Sequence, residues 1–242
     1  MKLEDGSPDN VEIYAVRQDD MLASSTTRPY LPLVKENRKT FQDIFLHTYD
    51  IICHLMSHLD KHLDLRPGTL AALCPQDKPS PTLLRLLKSP PAKIGSSRTN
   101  LIGHNDIGSM TMLFNKLGGL QTLPAGSESI EANWVYVRPQ PGCAIINLGD
   151  AMVQWSGGIL RSNIHRVTTP PGQQAGCERY SVAYLLRPAA EASMQRLKGG
   201  GVIPQVADGE QEEGMCAKDW EIKQRALIAA GNALPKSKGS VG

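Results

Sequence analysis

The chain has 242 residues, 40% of them hydrophobic and 21% charged, with a formal net charge of +2. A chain of this size buries a substantial core, its composition lies outside the disordered and fibrous ranges, and a jelly roll or barrel of this length commonly makes one domain. Lys and Arg are spread along the sequence without the basic stripe that a phosphate backbone demands, so nucleic acid is not an expected partner; no apolar run reaches the length of a membrane span, and the polar start from Met1 to Asn10 does not read as a signal peptide, which makes a cytoplasmic location the expectation.

Val11–Val16 reads as a strand, and the proline-punctuated stretch through Arg28-Pro29-Tyr30-Leu31-Pro32 as a connection. From Glu36 to Leu65 the residues Phe41, Ile44, Phe45, Ile52, Leu55, Met56, Leu59 and Leu63 recur at three- and four-residue steps, the period of one long amphipathic helix. Arg66-Pro67-Gly68-Thr69 stops it, and a short second helix follows over Leu70–Leu73. His54, His58 and His62 share a face of the long helix, but no Glu stands in an HExxH position and Asp60, Lys61 and Asp64 lie alongside, so the reading is a solvated face and not a zinc site. The cysteines Cys53, Cys74, Cys143, Cys177 and Cys216 are odd in number and show no CxxC spacing, which fits reduced thiols.

After Pro79-Ser80-Pro81 the chain becomes a series of short β-rich runs between turn signals: Leu83–Lys88, Ser109–Phe114, Gly119–Leu123, Asn133–Arg138, Ala144–Leu148, Met152–Trp155, Asn163–Thr168 and Tyr180–Leu186. Their spacing predicts a mainly β fold with flanking helices, a double-sheet jelly roll. The expected organisation is a domain over residues 1–190 with the embedded helix at 36–65. Residues 191–242 then supply a linker, through Gly199-Gly200-Gly201 and the acidic stretch Asp208–Glu213, and a last helix over Ala217–Ala230 that ends at Gly231-Asn232 and packs on the roll.

Gly103-His104-Asn105-Asp106 lies between two of these strands, and residues two apart in an extended segment point to the same side. His104 and Asp106 can therefore grip one ion, and the later strand Ser162–Val167 offers His165 to close the site. Two His and one carboxylate leave coordination positions open, the ligand set of non-haem Fe(II) oxygenases and not of closed structural zinc. Arg179-Tyr180-Ser181 repeats the two-residue spacing; an Arg fork beside a hydroxyl suits the distal carboxylate of a dicarboxylic co-substrate. Taken singly, His165 between Ile164 and Val167 reads as a core histidine and Arg179 as an ion pair; the joint register of the five residues is what points to a site. Asp150 sits in a turn and is read as shaping the chain, while Trp134, Tyr136 and Trp155 stand open between pocket lining and core packing.

His104-x-Asp106, His165 and Arg179-x-Ser181 together resemble the isopenicillin N synthase-like branch of the 2-oxoglutarate and Fe(II)-dependent dioxygenases, in the flavour of fungal enzymes that tailor small metabolites. The resemblance runs from about Val11 to Leu186 and includes Gly118-Gly119-Leu120-Gln121, Tyr136-Val137-Arg138-Pro139, Asn147-Leu148-Gly149-Asp150 and Arg161–Val167. It implies a double-stranded β-helix with helices against one sheet, Fe(II) on His104, Asp106 and His165, and the C5 carboxylate of 2-oxoglutarate on Arg179 and Ser181. It further implies oxidation of a small organic metabolite by O2 through hydroxylation, desaturation or rearrangement, with release of succinate and CO2. An iron oxidase of the same fold that does not use 2-oxoglutarate, and a truncated non-catalytic scaffold subunit, stay open beside it. Two departures accompany the resemblance. The segment Leu83–Pro90 lacks the tyrosine that many members place against the co-substrate, leaving Arg85, Lys88 and Ser89 as stand-ins. The chain also begins without the N-terminal region that members generally carry, so a homodimer or a related subunit covering an open sheet edge is expected.

Overall fold

The computed structural model describes residues 10–23, 28–96, 98–199, 201–207, 209 and 214–229. Two antiparallel sheets face each other. The larger contains β1 (Glu12–Arg17), β2 (Leu83–Ser89), β9 (Arg179–Leu186), β4 (Met110–Asn115) and β7 (Ile145–Leu148), in that spatial order. The smaller contains β3 (Thr99–His104), β8 (His165–Thr168), β5 (Leu120–Thr122) and β6 (Val135–Tyr136), also in spatial order. This is the expected double-stranded β-helix with flanking helices.

The middle of the larger sheet is covered on both faces, and strand alternation separates their chemistry. Leu84 and Leu86 of β2, Met110 and Met112 of β4, and Tyr184 and Leu186 of β9 point outward, where they pack against Phe45, Ile52 and Met56 of α3 (Arg38–His62). Phe45 meets Tyr184 edge-on at a centroid distance of 5.8 Å. The alternate residues Leu83, Leu87, Leu113, Ala183 and Leu185 form a separate apolar cluster on the inner face, toward the second sheet. The end of α3 is fixed by its own buried Asp60, whose carboxylate accepts from the backbone N–H groups of Gly68 (2.8 Å) and Leu70 (3.0 Å) and so opens α4 (Thr69–Ala72). The His54 and His58 rings lie exposed on the opposite face of α3.

Several expectations change. Met152–Trp155 is not a strand but part of α5 (Asp150–Trp155), in which Ala151, Met152, Val153 and Trp155 are all buried. A short, continuously apolar run has no period that separates a buried strand from a buried helix. Asn133–Arg138 contracts to β6, preceded by a 3-10 turn over Glu131–Asn133. β3 was not foreseen as a strand, since Asn100 and Gly103 both weaken strand propensity. The stretch read as a connection after β1 holds two short helices, α1 (Gln18–Leu22) and α2 (Pro32–Glu36), the latter with Pro32 at its first position.

After β9 the chain stays on the molecule, because Met194 and Ile203 enter the α3-facing core together with Ala217 and Trp220 of α6 (Ala217–Ala229). An ion pair from Arg187 to Glu221 fastens α6 to the end of β9. The acidic stretch, except Gly209, and the helix stop at Gly231-Asn232 lie outside the described residues. Among the described residues no helix is long and apolar enough to cross a membrane.

Phe45→Ala removes a ring with no solvent exposure from the contact between α3 and the sheet and is expected to cost about 3–5 kcal/mol. Urea denaturation should show the lowered midpoint, while Leu46→Ala on the exposed side of α3 should stay within about 0.5 kcal/mol.

Candidate metal centre

His104 is the last residue of β3 and His165 the first of β8, and the two stand directly opposite each other in the ladder. Their ring centroids are 4.4 Å apart. Asp106, two residues past His104, turns its carboxylate to the same point, so that one ligand atom from each of the three residues lies within 4.8 Å of the others. The backbone orients both rings: the Nδ1 of His104 donates to the Ile102 carbonyl (2.8 Å) and that of His165 to the Asn163 carbonyl (3.2 Å), leaving each Nε2 with its lone pair toward the common point.

Asp106 is held by two donors, with Thr111 Oγ1 at 2.6 Å and Asn147 Nδ2 at 2.9 Å from Oδ2. Burial pushes its pKa upward, but the adjacent His165 and His104 and these two hydrogen bonds outweigh burial and hold it at about 2. Burial, reinforced by His165, pulls His104 down to about 4. At neutral pH the pair is therefore an ionised carboxylate beside a neutral imidazole, each with lone pairs to give, which suits a divalent cation.

A second polar cluster braces the loops that carry the ligands. The Oδ1 of Asp150 accepts from Ser162 Oγ (2.6 Å) and from Asn105 Nδ2 (3.2 Å), and Asn105 also donates to Ser162 Oγ (2.7 Å). Asn105 stands between the first two ligands and Ser162 three residues before the third, so Asp150 joins both segments. The Asp150 amide completes the brace by donating to the Asp106 carbonyl at 2.8 Å. Gly149 is needed beside it, since a Cβ there would fall 2.1 Å from the Gly108 carbonyl oxygen. The reading of Asp150 as a chain-shaping residue thus extends to the metal loop, a role invisible in the sequence because its partners are distant in the chain.

Arg179 lies on the inner face of β9, 2% exposed. Its Nε donates to the Gly118 carbonyl (2.8 Å) and its Nη1 to Ser181 Oγ (3.1 Å), while Nη2 is buried with no partner. Burial without a facing carboxylate lowers the guanidinium pKa to about 10. A buried cation whose Nη2 amino group is vacant beside a hydroxyl is incomplete by itself; the terminal carboxylate of a dicarboxylic acid completes it, so the residues present fit such a co-substrate.

Of the three stand-ins for the missing tyrosine, Lys88 points outward and pairs with Glu178 at 3.0 Å. Ser89, 2% exposed and paired in register with Arg179, shares the inner face with it. Arg85 is on that face too, farther along and opposite Ala183. Trp155 is core, its Nε1 donating to the Ser193 carbonyl; Trp134 lies beneath the Arg166 guanidinium at 4.3 Å. Tyr136 is 45% exposed. Thr111 carries no motif of its own and was not foreseen; Asn105 and Ser162 fall within the stretches that carry the ligands, but their bracing role was not foreseen.

Comparisons with known proteins agree with this geometry. The model of the 2OG-Fe(II) oxygenase superfamily matches residues 80–188. The 2-oxoglutarate-dependent dioxygenase iboH of Amanita muscaria is 34% identical over 169 residues, which cover 69% of this chain and 81% of that protein. A 2-oxoglutarate-dependent dioxygenase of Aspergillus fumigatus is 31% identical over 218 residues, 84% of this chain but 57% of the relative. Among solved structures, a full-length Neurospora crassa protein in complex with alpha-KG and 5-formyluracil superposes with a TM-score of 0.75 at 21% identity, covering 91% of this chain and 70% of that one. JOX2 in complex with 2OG, Fe and JA gives 0.70 at 21% identity, covering 93% and 63%. At these identities the structural likeness speaks for the fold.

Thr111→Val removes one of the two donors that hold Asp106 while keeping its shape, and is expected to weaken divalent-metal binding about 10–100-fold, as loss of such supporting contacts does. Titration with Mn(II) followed by electron paramagnetic resonance reads the change directly.

Proposed function

The chain belongs to the 2OG-Fe(II) oxygenase superfamily, and on that premise we propose that it is a 2-oxoglutarate-dependent dioxygenase of a small organic metabolite, with Fe(II) held by His104, Asp106 and His165 and the C5 carboxylate of 2-oxoglutarate held by Arg179 and Ser181. The observation that carries the reading is the vacant, buried Nη2 of Arg179, beside Ser181 on the inner face of the larger sheet. The names of the fungal relatives support the same activity class.

Bound there, Fe(II) with 2-oxoglutarate and O2 supplies the oxidising chemistry, and succinate and CO2 are the co-products. The chain's own residues do the rest. Arg179 and Ser181 fix one end of the co-substrate by a charge-assisted pair and a hydrogen bond, which sets the distance of its other end from the ligands. Leu83, Leu87, Leu113, Ala183 and Leu185 keep that stretch apolar, which excludes water and strengthens the pair. Thr111, Asn147 and Asp150 hold the ligand loop in place before anything binds. Within this reading the catalytic roll lies within residues 1–190, and Met194, Ile203 and Trp220 from the chain beyond it pack against it. A cytoplasmic setting suits its five free cysteines.

Anaerobic titration of the Fe(II)-loaded protein with 2-oxoglutarate should develop the visible charge-transfer band of keto-acid chelation. His104→Ala should abolish it, and Arg179→Gln should weaken 2-oxoglutarate binding by about 2–5 kcal/mol, the usual cost of removing one partner of a buried charge pair. Bound iron without a band, together with O2 uptake that produces no succinate, would replace this reading with an oxidase that draws all its electrons from substrate.

A further inference from the structure

Among the arginines at least partly buried along the inner face and the end of the larger sheet, Arg179, Arg187 and Arg85 differ in what faces them. Arg179 has Ser181 and the vacancy assigned above. Arg187 has Glu221. The side chain of Arg85, in the middle of β2, makes no hydrogen bond or ion pair among the described residues. Its register opposite Ala183 puts it on the inner face with Leu83, Leu87 and Ser89, two strand positions beyond the level of Ser181. The charges near enough to act on it are Arg187, Asp106, Arg225 and Glu221, and burial lowers its pKa. Its closest acidic influence is thus a metal ligand on one side and, on the other, a carboxylate already held by two arginines, since Glu221 accepts from Arg225 (2.6 Å) as well as Arg187.

A pocket of about 290 Å³ opens at the end of the sheet; Arg187, Glu221 and Arg225 line it, while Arg85 itself stands behind its wall. Its wall includes Ile107, which directly follows Asp106 in the chain, and Pro81 from the approach to β2; Arg17, Arg187, Arg225 and Lys218 line it against the single anion Glu221. Arg17 is paired across the ladder with Leu83, two residues from Arg85 on the same face. The Nε of Arg187 is itself buried with no partner. The side of Arg85 away from the co-substrate is therefore predominantly cationic.

We propose that the substrate is a small organic carboxylate, and that Arg85, on the inner face between the cationic end of the sheet and Asp106, is the residue that grips its carboxylate. A neutral substrate would leave a largely desolvated guanidinium unpaired, which is costly; a carboxylate takes two parallel N–H donors from the fork. Arg85 acts here on specificity, separately from the co-substrate's own anchor at Arg179. The inference rests on the reading of His104, Asp106 and His165 as the iron site.

The test uses the full chain loaded with Fe(II) and saturated with 2-oxoglutarate under argon, so that Arg179 is already occupied. Benzoate, hexanoate and cyclohexanecarboxylate are titrated beside their own primary amides and beside phenyl phosphate, with binding read by saturation-transfer NMR. The acids are expected to bind at least about tenfold more tightly than the amides, with the preference lost in Arg85→Gln and partly kept in Arg85→Lys. Equal binding of acid and amide to the wild-type protein, no binding of any acid, or a preference that survives in Arg85→Gln would overturn the proposal; tighter binding of phenyl phosphate would overturn its substrate class. The charge-transfer band of the same sample separates the two readings. A band without acid preference removes the carboxylate proposal and leaves the dioxygenase; absence of the band removes the dioxygenase reading itself.

Discussion

The pairing of β3 with β8 sets two imidazoles face to face across a ladder, and the rest of the site is arranged around that register. Because side chains alternate along a strand, a slip of one residue in either partner would send one histidine to the other face. The register is not uniform: irregularities between Thr99 and Leu101 and between Leu101 and His104 re-aim the end of β3 so that His104 still meets His165. The cation site is thus a property of sheet geometry. Asp106 is the one ligand that stands beyond a strand, and it is correspondingly the one with the most side-chain support, from Thr111 and Asn147, with its loop tied to Asp150.

β9 divides labour by face. Its outward residues, Val182, Tyr184 and Leu186, pack against the helical core, and its inward residues begin with Arg179 and Ser181 and continue as Ala183 and Leu185. The packing with α3 holds the strand rigid, and that rigidity lets a buried guanidinium keep its Nη2 group vacant without collapsing onto another acceptor. Stability and recognition are therefore supplied by the same eight residues. β2 follows the same rule one strand over, with Leu84 and Leu86 outward and Arg85 and Ser89 inward.

The parts of this architecture that were legible in the sequence are those with a local period. Phe41 to Leu63 announce α3 because core contacts every three or four residues leave that trace, and His104-x-Asp106 and Arg179-x-Ser181 announce their faces because a strand repeats every two. What was illegible depends on partners far apart in the chain. Asp150 reads as a turn residue until Asn105 and Ser162 are brought to it. Trp155 reads as a strand aromatic until α5 buries it against the chain after β9. β3 was missed because Asn100 and Gly103 are poor strand formers, and Gly103 is tolerated since the Trp134 ring lies so close that a Cβ there would stand only 3.0 Å from it. Arg85 drew notice only as a substitute for an absent tyrosine; register and the charges around it gave it a separate meaning.

Gly149 carries a consequence for descent as well as for structure. Its backbone dihedrals are ordinary for any residue, so nothing about its conformation calls for glycine; the demand comes wholly from the carbonyls of Gly108 and Asp106 pressing on the place a side chain would occupy. Every single-nucleotide change that alters this codon's meaning would push apart the segment that bears the carboxylate ligand, without touching any ligand. In a lineage drifting away from this chemistry, loss of this glycine would mark an abandoned site while the three ligands still spelled out an intact one.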